Sequence, residues 1–157
     1  MIRNFAMAGA VAVFVALAAS APAVAQDNPF AGTWKLNLAK SHFDPGPAPQ
    51  SQIRTWASDG KVFVKGINAA GKPTTHTFTI NPDGKPYPSI GATDEGETVA
   101  TKRIDARTVE AKFTRNGQAL EIARYSVSED GKVLTLVATS TPANPRSFHN
   151  VEVSDRQ

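Results

Sequence analysis

The chain reads as an all-β protein, an antiparallel up-and-down β-barrel of about 8–10 strands with little helix. Three observations predict it. From residue 32 onward, apolar and polar residues alternate in short runs, with turn residues between them at roughly 8–12-residue spacing. No longer run carries a convincing 3.6-residue apolar period. The first run opens as Phe30-Ala-Gly-Thr-Trp-Lys-Leu-Asn37. Here an indole is placed to plug one end of a barrel, and Gly32, two residues earlier, lets the chain enter the strand without a side-chain clash. A ribbon of this kind is satisfied by closing on itself, because closure removes exposed strand edges.

Ahead of the domain stands a leader. Met1-Ile-Arg-Asn is a short positive start, Phe5 to Ala19 is apolar, and Ala23-Val24-Ala25 is a small-x-small cleavage site. These are the parts of a secretory signal peptide, and the apolar run falls short of the roughly 20 residues that span a bilayer. Residues 1–25 are therefore read as signal peptide and 26–157 as one barrel domain. The expected location is the periplasm or the extracellular medium, with no membrane anchor after cleavage, and the expected state is a monomer. With no cysteine in the chain, the fold must rest on its core alone. Removing Arg3 with the leader lowers a formal charge of only +3. The remaining Lys and Arg are scattered among Asp and Glu with no basic stripe, which argues against a nucleic-acid partner.

The strands are expected near 32–38, 52–58, 61–68, 74–81, 97–104, 107–115, 118–128, 132–140 and 147–154. Asp59-Gly60, Asn116-Gly117 and Asp130-Gly131 fall between consecutive runs, where glycine and a short Asx residue accept the positive φ of a hairpin turn. Ala70-Gly71 and Asp105-Ala106 mark similar breaks. Beyond the leader, every proline is expected at a strand end or in a loop, where a missing N–H breaks no ladder. Two loops differ from the hairpins. Asp44-Pro-Gly-Pro-Ala-Pro49 is a stiff, extended strap. Asn81 to Gly96 is long and irregular with one aromatic, Tyr87, and reads either as a lid over the barrel mouth or as a surface excursion.

Alternation sorts side chains into faces. His76, Phe78 and Ile80 share an inward face opposite Thr75, Thr77 and Thr79. Val109, Ala111 and Phe113 form a second inward row, and Leu134, Leu136 and Ala138 a third. Near the end, His149, Val151 and Val153 lie together, opposite Phe148, Asn150 and Glu152. In 61–68 the face is undecided, since Val62 and Val64 compete with Phe63 and Ile67. Small inward residues leave room for a ligand, and an eight-strand interior is just wide enough for one. The candidate ligand-binding residues are His76, Phe78, Tyr87, Phe113, Arg124, Tyr125 and His149, with Gly32 and Trp34 as the structural plug. Each has a plainer reading. The histidines read first as satisfied interior groups and only second as ligands, and Arg124 first as an outward cation beside a packed Tyr125 and only second as an interior anion clamp. Trp56 shares a face with Gln52 and Arg54, as a rim cap or part of a binding patch.

No catalytic constellation emerges. Gly66-Ile-Asn-Ala-Ala-Gly71-Lys72 approaches a phosphate-binding loop, but Pro73 replaces the required hydroxyl residue and the segment joins two strands. It is a hairpin turn. Asp94-Glu-Gly-Glu97 lacks the alternating oxygens of a calcium loop, and with three scattered histidines no zinc site suggests itself. No cofactor and no metal is expected, and no catalytic residue is assigned.

The opening Phe30 to Asn37, with Lys40-Ser41 and Phe43, resembles the start of calycins, the superfamily of lipocalins and fatty-acid-binding proteins. Asp83-Gly-Lys-Pro-Tyr-Pro88, Lys102 to Ala111, Ser128-Glu-Asp-Gly-Lys132 and Asn150 to Gln157 resemble a group of exported bacterial lipocalin-like proteins. The resemblance implies a ligand-holding barrel. It does not extend to fatty-acid specificity, because the Pro-rich strap stands where two helices would be inserted. Asn150-Val-Glu-Val153 likewise lacks an Arg-x-Tyr carboxylate clamp. The expected function is thus a non-enzymatic carrier or sensor of a small apolar or amphipathic molecule. The alternative is an interaction or inhibitor module working through the 81–96 loop or the 44–49 strap.

Overall fold

Each expected run becomes a strand paired with its neighbour. A computed structural model of the chain describes residues 28–91 and 96–157. The leader over 1–25 lies outside the described residues, as do positions 92–95 of the 81–96 stretch. The strands are β1 (Gly32–Leu36), β2 (His42–Asp44), β3 (Ser51–Trp56), β4 (Lys61–Ile67), β5 (Pro73–Thr79) and β6 (Asp83–Gly91). They continue with β7 (Glu97–Asp105), β8 (Thr108–Arg115), β9 (Gln118–Val127), β10 (Val133–Ser140) and β11 (His149–Arg156). A single 3-10 turn, Leu38–Lys40, is the only helical element among the described residues. Strands β3 to β11 form an antiparallel meander. β1 pairs with β3 on one side and β11 on the other, closing a ten-strand barrel. After β1 the chain steps outward through the 3-10 turn and returns as β2, which extends the seam along β11.

Beyond the backbone ladder, the side chain that makes the most contacts across the closing seam is that of Arg156. Arg156 lies opposite Trp34 in the β1–β11 register, with its guanidinium 4.0 Å above the indole centroid. Its Nε donates to the Gly131 carbonyl at 2.5 Å, Nη1 to Ala31 at 2.6 Å and Nη2 to Pro29 at 2.7 Å. Trp34 is fully buried and its Nε1 donates to the Phe30 carbonyl at 2.8 Å. Gly32 has φ +138°, and a Cβ built there would lie 2.5 Å from Arg156 Nη1. Its absent side chain therefore makes room for the guanidinium as well as easing entry to the strand. Beneath this plug Phe30 stacks on Trp56 at 4.8 Å, and Trp56 meets Tyr125 edge-on at 5.5 Å. Trp56 thus belongs to the sealed end of the barrel, which is neither a rim nor an exposed patch.

The rows His76–Phe78–Ile80, Val109–Ala111–Phe113 and Leu134–Leu136–Ala138 all face inward. In β4 the face is settled by Val62, fully buried, and by Val64, while Phe63 points out. Three expectations need correction. First, most of the 81–96 stretch is wall: Asp83–Gly91 is β6, paired with β7 and, from Ser89 on, with β5. Tyr87, Ser89 and Gly91 face in while Pro86, Pro88 and Ile90 face out, an alternation disguised by its proline and glycine content. Second, Pro86 and Pro88 therefore sit inside a strand. The sheet tolerates them because pairing with β5 begins only beyond both, so on that side their missing N–H groups break no ladder. Third, β11 has the opposite parity to that expected. Asn150, Glu152 and buried Ser154 turn inward with Arg156, and Val151 and Val153 lie on the outer face against Val137 and Thr135. Once Arg156 must reach Trp34, strand alternation sends every second residue before it to the interior.

Arg156→Ala should lower unfolding free energy by about 2–4 kcal/mol, since three charge-assisted bonds and the stack on Trp34 are lost together. Urea unfolding followed by tryptophan fluorescence measures this. Arg124→Ala, which removes only an exposed ion pair, should stay within about 0.5 kcal/mol of the parent.

A polar-walled cavity in the open half of the barrel

The sealed end is packed with Phe30, Trp34, Trp56, Val62, Val109 and Leu134. Toward the opposite end the interior widens into a cavity of about 550 Å³. Two segments frame its mouth. The strap Asp44–Pro47 lies along one side, tied down where the Asp44 N–H donates to Asn150 Oδ1 at 3.3 Å. The β10–β11 loop, with Asn144 and Arg146, forms the other. That loop is anchored by Asn144 Nδ2 donating to the Leu120 carbonyl at 3.1 Å and by the Thr141 hydroxyl donating to that of Ala119.

Four of the seven sequence-chosen ligand residues line this space: His76, Phe78, Phe113 and Tyr125. The rings of His76, Phe78 and Phe113 pack together as one wall, and Tyr125 lines the cavity beside Arg54. His76 lies 4.8 Å from Phe78, and Phe78 meets Phe113 edge-on at 5.5 Å. The other three lie elsewhere. Arg124 is exposed and pairs outside the barrel with Glu110 at 2.9 Å, because its neighbour Tyr125 takes the inward position. His149 is exposed on the outer face, its Nδ1 2.9 Å from the Thr139 hydroxyl, a direct result of the β11 parity. Tyr87 packs against the core from β6. Its hydroxyl accepts from Asn81 and donates to Asp83, both at 2.7 Å, and the Asp83 carboxylate raises its pKa.

The cavity also holds charges that a residue-by-residue reading of the sequence does not select. On β3, Arg54 is 5 % exposed and reaches Glu152 of β11 at 3.4 Å. Gln52 Nε2 donates to the same Glu152 oxygen at 2.9 Å. Both contacts cross the interior face of the closing seam from β3 to β11, reaching Glu152 just beyond the last β1–β11 pair, Leu36–Ser154. On the far wall, Glu97 accepts from Arg115 Nη2 at 3.1 Å and from the Ser89 hydroxyl at 2.9 Å. His76 Nε2 lies 2.7 Å from the same hydroxyl. The Ser89 proton is thus directed at a carboxylate already held by Arg115, and Ser89 is 3 % exposed. The chain His76–Ser89–Glu97–Arg115 ties four neighbouring strands together instead of presenting a nucleophile. A sequence signal for both groups exists. Gln52, Arg54 and Trp56 share parity, and Glu97 and Arg115 stand opposite each other once the β7–β8 hairpin is registered.

Burial pushes the Tyr125 phenol well above its ordinary pKa, with the Arg54 charge opposing the shift. Compared with known proteins, the chain matches no family model and no curated protein. The closed antiparallel barrel is consistent with the calycin-type architecture that the opening residues resemble.

Because the folded state keeps the Tyr125 proton more tightly than the unfolded chain, this group's contribution to stability is full below pH about 10 and falls as pH rises toward the folded value. Tyr125→Phe should therefore lose less stability than the parent between pH 9 and 11.5, about the window of phenol ionisation. Urea midpoints measured across that range should converge or cross; parallel curves would remove Tyr125 as the source.

Proposed function

We propose that this barrel is a non-enzymatic carrier or sensor that holds one small amphipathic molecule in its interior. A single observation supports the reading: a cavity of about 550 Å³, within the range of small-molecule sites, lies between an aromatic wall and a belt of charged residues. The charged belt favours an amphipathic ligand over a purely apolar one, since burying Arg54, Glu97 and Glu152 under hydrocarbon alone would cost their solvation. The leader motif adds a site of action in the periplasm or outside the cell, and a sheet closed on itself fits a monomer. The alternative reading as a partner-binding module loses most of its long loop to β6, and its Pro-rich strap lies at the cavity mouth.

Native mass spectrometry of protein purified from its own host should show a retained small molecule that denaturation releases. Ala138 is buried and lines the cavity. Ala138→Phe should fill the space and weaken binding by at least about tenfold, at a folding cost of about 1–3 kcal/mol. Unchanged binding in the folded variant, or a parent that neither retains nor takes up any amphiphile, would overturn the proposal. Trp56 is two residues from Arg54 and in contact with Tyr125. Trp56→Phe should therefore remove most of any ligand-induced change in intrinsic fluorescence, whereas Trp34→Phe should leave it.

A further inference from the structure

We propose, resting on the carrier reading, that the bound molecule is an anionic amphiphile whose acidic oxygen head group is taken by Arg54. Arg54 lines the cavity with its side chain 5 % exposed. Its Nε and Nη1 have no hydrogen-bond partner, so most of the guanidinium's five N–H donors lack an acceptor. Only Nη2 is engaged, by one contact to Glu152 at 3.4 Å. That is longer than the roughly 2.7–2.9 Å of a charge-assisted bond and is not the two-point geometry that a carboxylate prefers with arginine. Glu152 is meanwhile held more closely by Gln52, at 2.9 Å through the same oxygen.

The unmet demand is therefore for acceptors. Trp56, next along the same inward face of β3 but packed in the sealed end below the cavity, also has an unpartnered indole Nε1. Glu97 and Glu152, by contrast, each accept from two side chains. A buried charged donor without an acceptor is costly to maintain. A ligand oxyanion relieves that cost, whereas a cationic or donor-rich head group adds to it. Tyr125 orients the site, with its ring 5.5 Å from the guanidinium carbon. The remaining cavity wall, from Val64 and Phe78 to Phe113 and Leu136, suits the apolar tail. This geometry differs from an Arg124–Tyr125 clamp: the cation comes from β3, near the start of the barrel, and not from β9.

The test compares one fluorescent amphiphile in two charge states, dansylaminoundecanoic acid and its methyl ester, titrated into the full barrel. The acid should bind at least about tenfold more tightly than the ester, a difference of about 1.4 kcal/mol. Arg54→Gln should bring the two within about twofold of each other, chiefly by weakening binding of the acid. Equal affinities in the parent would overturn the inference and leave the carrier reading standing. A preference that survives in folded Arg54→Gln would overturn it too, by assigning the anion to another cation such as Arg115. If neither probe binds, this inference is overturned, while the carrier reading is decided separately by the native mass spectrum. Should Arg54→Gln not fold, Arg54→Lys decides: it keeps the charge but loses the planar fork. The acid preference should then fall severalfold, and an unchanged preference would overturn the assignment.

Discussion

Closure of the barrel depends on Arg156 crossing the seam to cover Trp34. A meander of antiparallel hairpins is locally specified, each strand finding its neighbour through a short turn. The pairing of β1 with β11 is different, because it joins the two ends of the domain and must offset the loop-closure entropy of nearly the whole chain. One side chain addresses this from several directions. It stacks on the indole and binds carbonyls from the segment before β1 and from the β9–β10 turn. Gly32 leaves the space in which it does so.

That contact also sets the parity of the interior. With Arg156 turned inward, alternation places Ser154, Glu152 and Asn150 on the same face. The last strand thus contributes a polar stripe to a barrel whose other inward rows are largely apolar. A carboxylate so placed needs a partner, and β3 supplies Arg54 and Gln52 from the other side of β1. Part of the cavity's electrostatics follows from how the barrel is shut: the seam that closes the fold also brings Arg54 and Glu152 together, while Glu97 and Arg115 are paired by the β7–β8 hairpin on the far wall.

The legible part of this structure is the part governed by local rules. Hairpin signals such as Asn116-Gly117 and Asp130-Gly131, and clean alternation in His76–Phe78–Ile80, locate strands and faces because sequence neighbours decide them. Tyr125 and Phe113 fall on the inward face for the same reason. β6 is hidden because its inward residues are Tyr87, Ser89 and Gly91 and its outer ones include two prolines, so neither β-propensity nor apolar alternation marks it. β11 misleads because hydrophobicity is there a poor guide to the inside. Val151 and Val153 instead satisfy cross-strand pairing with Val137 and Thr135 on the outer face. The sequence assigns Arg54 its face but not its environment, since its partner Glu152 lies 98 residues away along the chain.

The two ends of the barrel divide stability from binding. Around Trp34 the interior is filled by aromatic and branched side chains, where each added contact contributes to the fold. Toward the strap, charged residues share the interior with an aromatic wall, and burying charge around an enclosed space contributes little or nothing to folding. Gln52 and Ser89 show how the cost is contained: each neutral side chain supplies one more hydrogen bond to a buried carboxylate. The guanidinium of Arg54 receives no equivalent help. A fold selected only for stability would replace it with an apolar side chain of similar volume, whereas a barrel that must recognise a charged head group has reason to keep it.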